Sequence, residues 1–184
     1  MRNKTLTFTL QVLIVLLLSF SVRGEDFYDS TVIPSDMFFE EINVYDTQPQ
    51  TTVIDFYGRA NALITNDSSV FNIYDGGYLD GWASLNYYAF TANGTSTINL
   101  YQGGLIDGGS FNSLRLFNNS KLNVEGGVVH TFCWAYDSSI VNLSGNLNYG
   151  FSLAENSIMN LYGGYIGHCS NNTEFPLSCF SFSI

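Results

Sequence analysis

The sequence predicts an all-β fold, a single-stranded parallel β-helix (β-solenoid) of about six coils, and three observations carry that prediction. A motif of Ser, any residue, apolar, Asn, apolar recurs along the chain, as in "SVFNI", "STINL", "SKLNV", "SIVNL" and "SIMNL". Its apolar residues lie two apart, the period of a strand. Gly pairs, three or four residues after the asparagine, and short Asn/Asp/Ser clusters before the serine punctuate the motif, and these are the residues of tight corners.

Aligned on the asparagine, Asn72, Asn99, Asn123, Asn142 and Asn160 form one column, with Asp55 in the same slot of an earlier, degenerate copy, "TTVIDFYG". The steps between them are 17, 27, 24, 19 and 18 residues. Repeats of that size mean a solenoid or an array. The apolar neighbours Phe71/Ile73, Ile98/Leu100, Leu122/Val124, Val141/Leu143 and Met159/Leu161 are expected to point inward. A charge placed there, as in Leu161→Asp, is expected to be severe. The asparagines then point outward and bond from coil to coil as a ladder. Ser69, Ser96, Ser120, Ser139 and Ser157 mark a corner, where a hydroxyl can satisfy backbone groups.

A second strand precedes each corner, read from Leu63/Thr65, Phe90/Ala92, Leu114/Leu116, Cys133/Ala135 and Phe151/Leu153. A third, short strand follows each "GG" or "GN": "YLD", "LID", "VVH", "LNY", "YIG". No coil can bury its apolar face alone, so each must place the same residue type above its predecessor's. A β-sandwich is the alternative, but its strands have no reason to repeat a sequence in register.

The chain divides into four parts. Residues 1–24 read as a secretory signal peptide: Arg2 and Lys4, an apolar run from Leu10 to Phe20, and small residues before a cut after Gly24. Residues 25–50 are acidic, lack the motif and are assigned as an N-terminal cap. Residues 51–168 hold the repeats, and 169–184 form a C-terminal tail or cap. The expected location is therefore secreted or cell envelope.

After cleavage, three bases (Arg59, Arg115 and Lys121) stand against 16 acids, a net charge of −13. That excludes nucleic acid and anionic lipid as partners, because both need clustered Lys and Arg. No membrane contact is expected once the signal peptide is gone. The three cysteines give no fully paired framework. Cys169 and Cys179 can bridge in an oxidising compartment, while Cys133 reads as a small buried hydrophobe.

Three constellations are chemically suggestive. The third strands align Asp80, Asp107, His130 and Tyr149 in one column, which sets Asp107 beside His130 as an acid/base pair for polysaccharide chemistry. Tyr74, Tyr101 and Tyr162 share one outward slot, with Trp134 outward on another strand, as candidate glycan contacts. His130 and Cys133, with His168 and Cys169, contain metal-ligating types, but the two clusters fall two coils apart, so no metal and no cofactor is expected. The sequons headed by Asn66, Asn93, Asn118, Asn142 and Asn171 read as corner chemistry.

On the units "SIMNLYGG", "STINLYQGG" and "SVFNIYDGG", residues 52–167 resemble secreted bacterial β-solenoid repeat proteins, some of them adhesin-like. That resemblance implies a solenoid architecture and no particular chemistry. Its sorting tag, Pro-Glu-Pro followed by an apolar helix and arginines, is missing from "FPLSCFSFSI". The expected function is an extracellular structural or adhesive protein without catalysis, whose partner is itself or an extracellular glycan. The alternatives are a polysaccharide-active enzyme using Asp107 and His130, and a glycan-binding module using the tyrosines and Trp134.

Overall fold

A computed structural model of the protein describes residues 24–46, 50–81 and 89–167, with backbone alone at 109–112. The bulk of the signal-peptide segment (1–23), together with His168, Cys169 and Cys179, lies outside the described residues.

In chain order the strands begin with β1 (Glu25–Phe27), β2 (Thr31–Ile33), β3 (Phe38–Phe39), β4 (Ile42–Val44), β5 (Val53–Phe56), β6 (Arg59–Ala60) and β7 (Leu63–Thr65). They continue with β8 (Val70–Ile73), β9 (Tyr78–Asp80), β10 (Phe90–Ala92), β11 (Thr97–Tyr101), β12 (Leu105–Leu116) and β13 (Lys121–Glu125). The last are β14 (Val128–Ala135), β15 (Ile140–Leu143), β16 (Asn146–Leu147), β17 (Phe151–Leu153), β18 (Ile158–Leu161) and β19 (Tyr165–Ile166).

The pairings between these strands are parallel and connect one coil to the next, which makes a β-solenoid of about six turns. Strands β2, β5, β8, β11, β13, β15 and β18 form a seven-stranded sheet that carries the Asn motif. The others form a 12-stranded sheet that closes the coil from the opposite side. Among the described residues no helix is long and apolar enough to cross a membrane.

The register follows the repeat. Phe71, Ile98, Leu122, Val141 and Met159 stack in one column, and Ile73, Leu100, Val124, Leu143 and Leu161 in the next. On the far side Leu63, Phe90, Leu114, Cys133 and Phe151 stack likewise. These inward residues are buried except Phe151, Met159 and Leu161 on the last coil, which are partly buried. A slip of one residue would turn the whole apolar set outward, so burial locks the register.

Two kinds of corner separate the strands. Asp67, Gly94, Asn118, Asp137 and Glu155, each five residues before its ladder position, have φ between 55° and 69°. Each is followed two residues later by the repeat serine, whose N–H closes the turn onto the carbonyl three residues back at 3.1–3.2 Å. Asn and Asp tolerate this left-handed conformation better than most residues. The other corner needs glycine for two reasons. Gly103 has φ +84, and a Cβ on Gly104 would lie 2.9 Å from the Ile73 carbonyl oxygen.

The repeat serines face inward: Ser69, Ser96, Ser120 and Ser139 are fully buried. Ser69 and Ser157 donate to the carbonyls of Asn66 and Ala154, both at 2.7 Å. The hydroxyls of Ser120 and Ser139 have no hydrogen-bond partner, and there the residue serves the corner by its small size.

Solenoid pairing extends upstream of residue 51. β1 lies on β4, β2 on β5 and β3 on β6. Ile33, Phe39, Ile42 and Val44 from this segment are buried in the common core. The motif is invisible here because Val32 occupies the asparagine slot, opposite Asp55.

Candidate functional site

A solenoid repeats each outward position once per coil, so its surface is a set of columns, and each column has its own chemistry. The asparagine column is a continuous ladder. Asn160 Nδ2 donates to Asn142 Oδ1 (2.9 Å), Asn142 to Asn123 (2.7 Å), Asn123 to Asn99 (2.7 Å) and Asn99 to Asn72 (2.8 Å). Asn72 donates to Asp55 Oδ1 at 2.8 Å. Every amide points its N–H toward the N-terminal rung, and the foot is a carboxylate, which can only accept.

Two residues further on, the tyrosine column stacks in the same way. Tyr57 and Tyr74 are 5.0 Å apart at 13°, and Tyr74 and Tyr101 are 4.8 Å apart at 9°. Both faces of Tyr74 and one face of Tyr101 are therefore occupied by neighbouring rings, and a ligand meets chiefly their edges and hydroxyls. Glu125 and Ser144 interrupt the column before Tyr162, which is 70% exposed. The interruption leaves a shallow notch of about 470 Å³ lined by Asn123, Val124, Glu125, Asn142, Ser144 and Tyr162.

Burial lifts the hydroxyl pKa of Tyr74, Tyr101, Tyr78 and Tyr45 above the ordinary 10.0, and nearby carboxylates add to the effect. Asp55 acts in this way on Tyr74, Glu125 on Tyr101, Asp80 on Tyr78 and Asp26 on Tyr45. Burial also pushes the Cys133 thiol up to about 12. The folded chain thus holds these protons more tightly than the unfolded chain does. The resulting stability is complete below the unfolded pKa values and is lost as pH rises through the folded ones. Thermal unfolding followed by circular dichroism should show Tm falling steadily above about pH 9, where the unfolded thiol titrates first.

A column that sequence reasoning missed follows the second strand of each coil, six residues before the asparagine from Asn72 onward. It begins with Tyr28 stacked on Tyr45 at 5.4 Å. It continues with Asn93 donating to Asn66 at 3.1 Å, and then with Phe117 stacked on Tyr136 at 5.1 Å and 7°. Like sits on like within each of these three pairs. Carrying the alignment back six positions would have revealed Asn66, Asn93, Phe117 and Tyr136, but not Tyr28 and Tyr45.

The third-strand column places Asp80, Asp107 and His130 on successive rungs. His130 Nδ1 lies 3.3 Å from Asp107 Oδ1, and its ring is 4.7 Å from that of Tyr149. Two groups not foreseen from sequence complete the column. Arg59 pairs with Asp80 and lies 5.0 Å over the Tyr78 ring, and the Tyr78 side chain hydrogen-bonds Asp107. Beside the column, β12 departs from regular register between Asp107 and Ser113. His130 faces outward on β14 and Cys133 inward, on opposite faces of one strand, so the H-x-x-C pair does not converge. Among the described residues no cluster of three His, Cys, Asp or Glu is arranged to hold a metal ion.

β14 is a continuous strand with alternating burial, and Val128, His130, Phe132 and Trp134 share its outer face. Phe132 and Trp134 have ring centroids 6.2 Å apart at 32°, and Trp134 and Tyr136 are 6.4 Å apart at 9°. Trp134 thus sits in a row of aromatic rings that runs across the solenoid axis, on the sheet opposite the tyrosine column.

Fold and surface together define an all-β parallel solenoid whose outer columns are amide, aromatic and ionic ladders. No protein-family model, curated protein or solved structure matches this chain.

Proposed function

We propose that this is an extracellular, adhesin-like structural protein that acts by surface contact and not by catalysis, delivered by a signal peptide over residues 1–24. One observation carries the reading. The unbroken amide ladder from Asn160 to Asp55, with the stacked tyrosines beside it, spends the repeated polar surface on holding coils together. The product is a stiff rod that presents groups at fixed intervals, so weak contacts along it add up. The partner is an extracellular glycan or a second copy of the chain. Acidity opposes self-association at low salt, and divalent cations or higher ionic strength relieve the repulsion.

A second reading, a polysaccharide-active enzyme, draws on the 3.3 Å contact between Asp107 and His130. The scarcity of bases on the chain weighs against it, since lyase chemistry needs a cation at the developing charge. The test is an assay for new reducing ends and unsaturated products over neutral and acidic polysaccharides. No turnover is expected. Product formation that disappears in Asp107→Asn or His130→Ala would overturn the contact reading. Light scattering against salt and calcium measures the self-contact arm in parallel.

A further inference from the structure

We infer that the notch in the tyrosine column is a subsite for one amino-sugar unit of a cationic glycan, with the sugar ring on Tyr162 and its ammonium group on Glu125. The inference deepens the surface-contact reading and rests on it.

The first argument is steric. From Tyr57 to Tyr101 the column holds one ring per rung, with neighbouring rings 5.0 and 4.8 Å apart. Glu125 then stands opposite Tyr101. The Ser144 N–H bonds the Val124 carbonyl, and the Tyr162 N–H bonds the Leu143 carbonyl, both at 2.8 Å. Glu125, Ser144 and Tyr162 therefore occupy successive rungs. Ser144 has the smallest side chain of the column and leaves its rung without a ring. Rungs are about 4.8 Å apart, so the gap between Tyr162 and Glu125 admits one further ring at the level of Ser144. The notch there measures about 470 Å³, within the roughly 300–1,000 Å³ of small-molecule sites.

The second argument is chemical. A tyrosine ring offers a flat apolar face to the C–H face of a sugar. Asn123 and Asn142 line the notch beside it. Each spends one Nδ2 hydrogen and one Oδ1 lone pair on the ladder. A side-chain amide has two of each, so each keeps one donor and one acceptor for hydroxyl groups. Ser144 Oγ donates to the Val124 carbonyl at 2.9 Å and keeps its lone pairs. A lysine or arginine side chain has donors only and would leave the amide N–H groups unused. An amino-sugar ring uses donors and acceptors together.

The third argument is charge. Glu125 is exposed and is the one carboxylate lining the notch. Lys121, the one base on β13, stands four residues back, about 13 Å along the strand, which exceeds the Debye length at physiological salt. An ammonium group on the sugar gains a charge-assisted bond to Glu125. The net charge of −10 on the whole chain draws the remaining units of a cationic polymer to the surface and repels a polyanion.

The experiment is isothermal titration calorimetry of the full chain, in mildly acidic buffer, with a glucosamine pentamer, an N-acetylglucosamine pentamer and pentalysine. The glucosamine pentamer should bind at least tenfold more tightly than either of the others. Glu125→Gln and Tyr162→Ala should each weaken it tenfold or more, and Tyr162→Phe should keep most of the affinity. Ser144→Tyr, which supplies the missing ring from within the chain, should block binding. Glu155→Gln removes the same charge at another exposed site and should change the affinity less than twofold. Matching Tm values separate lost binding from lost fold. If Glu125→Gln and Glu155→Gln weaken binding alike, the attraction is long-range charge and the notch is not the site. If pentalysine binds as tightly as the glucosamine pentamer, the sugar assignment is wrong; if the acetylated pentamer does, the role of Glu125 is wrong. If no pentamer binds but light scattering shows assembly in salt or calcium, the notch proposal falls and the surface-contact reading stands. If the protein also stays monomeric under all those conditions, both fall.

Discussion

Leu100→Asp should abolish folding at ambient temperature. Leu100 is fully buried in the centre of the seven-stranded sheet, stacked between Ile73 and Val124. An aspartate there either ionises without a partner or protonates and leaves its oxygens unbonded. The lost apolar burial adds about 2 kcal/mol, and an unpaired buried charge costs several more. Domains are stable by only about 5–15 kcal/mol, so the sum is of the order of the whole stability. Circular dichroism should show a chain without a cooperative transition. Leu161→Asp, which the repeat alone marks as equally severe, should be milder. Leu161 lies on the last described coil and is only partly buried, so the carboxylate can turn to water. A fully cooperative, near-native melt for Leu100→Asp would mean that the column is not stacked inward.

The contrast shows what a repeat can and cannot say. Alignment on Asn72, Asn99, Asn123, Asn142 and Asn160 identifies the inward pairs, because one coil's burial pattern is copied by the next. It says nothing about where the stack ends, since Leu161 and Leu100 carry the same motif. The first coil shows the reverse. Residues 25–44 stack in parallel on the coil above, yet Val32 in the asparagine slot hides them. What fixes that coil is burial of Ile33, Phe39, Ile42 and Val44, a weaker signal than a repeated polar residue.

The candidate sites were legible to different degrees for a related reason. Asp107 beside His130 follows from register alone. Arg59 over Tyr78 does not, because a cation–ring contact depends on where a long side chain turns. Trp134 reads from sequence as an isolated outward aromatic. Phe132 precedes it on the outer face of β14 and Tyr136 follows just past the end of that strand, a row along one coil that an alignment between coils does not display. Tyr74 and Tyr101 are outward, as the pattern says, but their ring faces are spent on each other. A column seen as a list of residues looks like a surface; seen as a stack, part of it is interior.

Asn123→Asp should destabilise the protein by about 1–2 kcal/mol at neutral pH, the lower part of the range for a polar group left facing the wrong partner because Asn123 is half-buried, and the loss should shrink in acid. The polarity of the ladder gives the reason. Asn123 Nδ2 donates to Asn99 Oδ1, and Asn123 Oδ1 accepts from Asn142 Nδ2. A carboxylate at 123 keeps the acceptor role toward Asn142 but sets an oxygen against Asn99 Oδ1 with no proton between them. The amides cannot all flip to help, because the foot of the ladder, Asp55, can only accept and so fixes the direction of Asn72 and of each rung above it. The repelled carboxylate should have a folded pKa above the usual Asp value of about 3.9. The penalty is then absent below the unfolded pKa, grows as pH rises through the folded pKa, and is complete at neutral pH. Below about pH 4 the protonated carboxyl can donate to Asn99 Oδ1 and restore the missing rung. Asp55→Asn makes the control, since an amide at the foot still accepts from Asn72, and its cost should stay under about 1 kcal/mol, that of weakening one charge-assisted bond. Urea melts of both variants at pH 3 and pH 7 measure the difference. If Asn123→Asp is no worse than Asp55→Asn at pH 7, or if its penalty does not fall in acid, the ladder has no fixed direction and Asp55 does not set it.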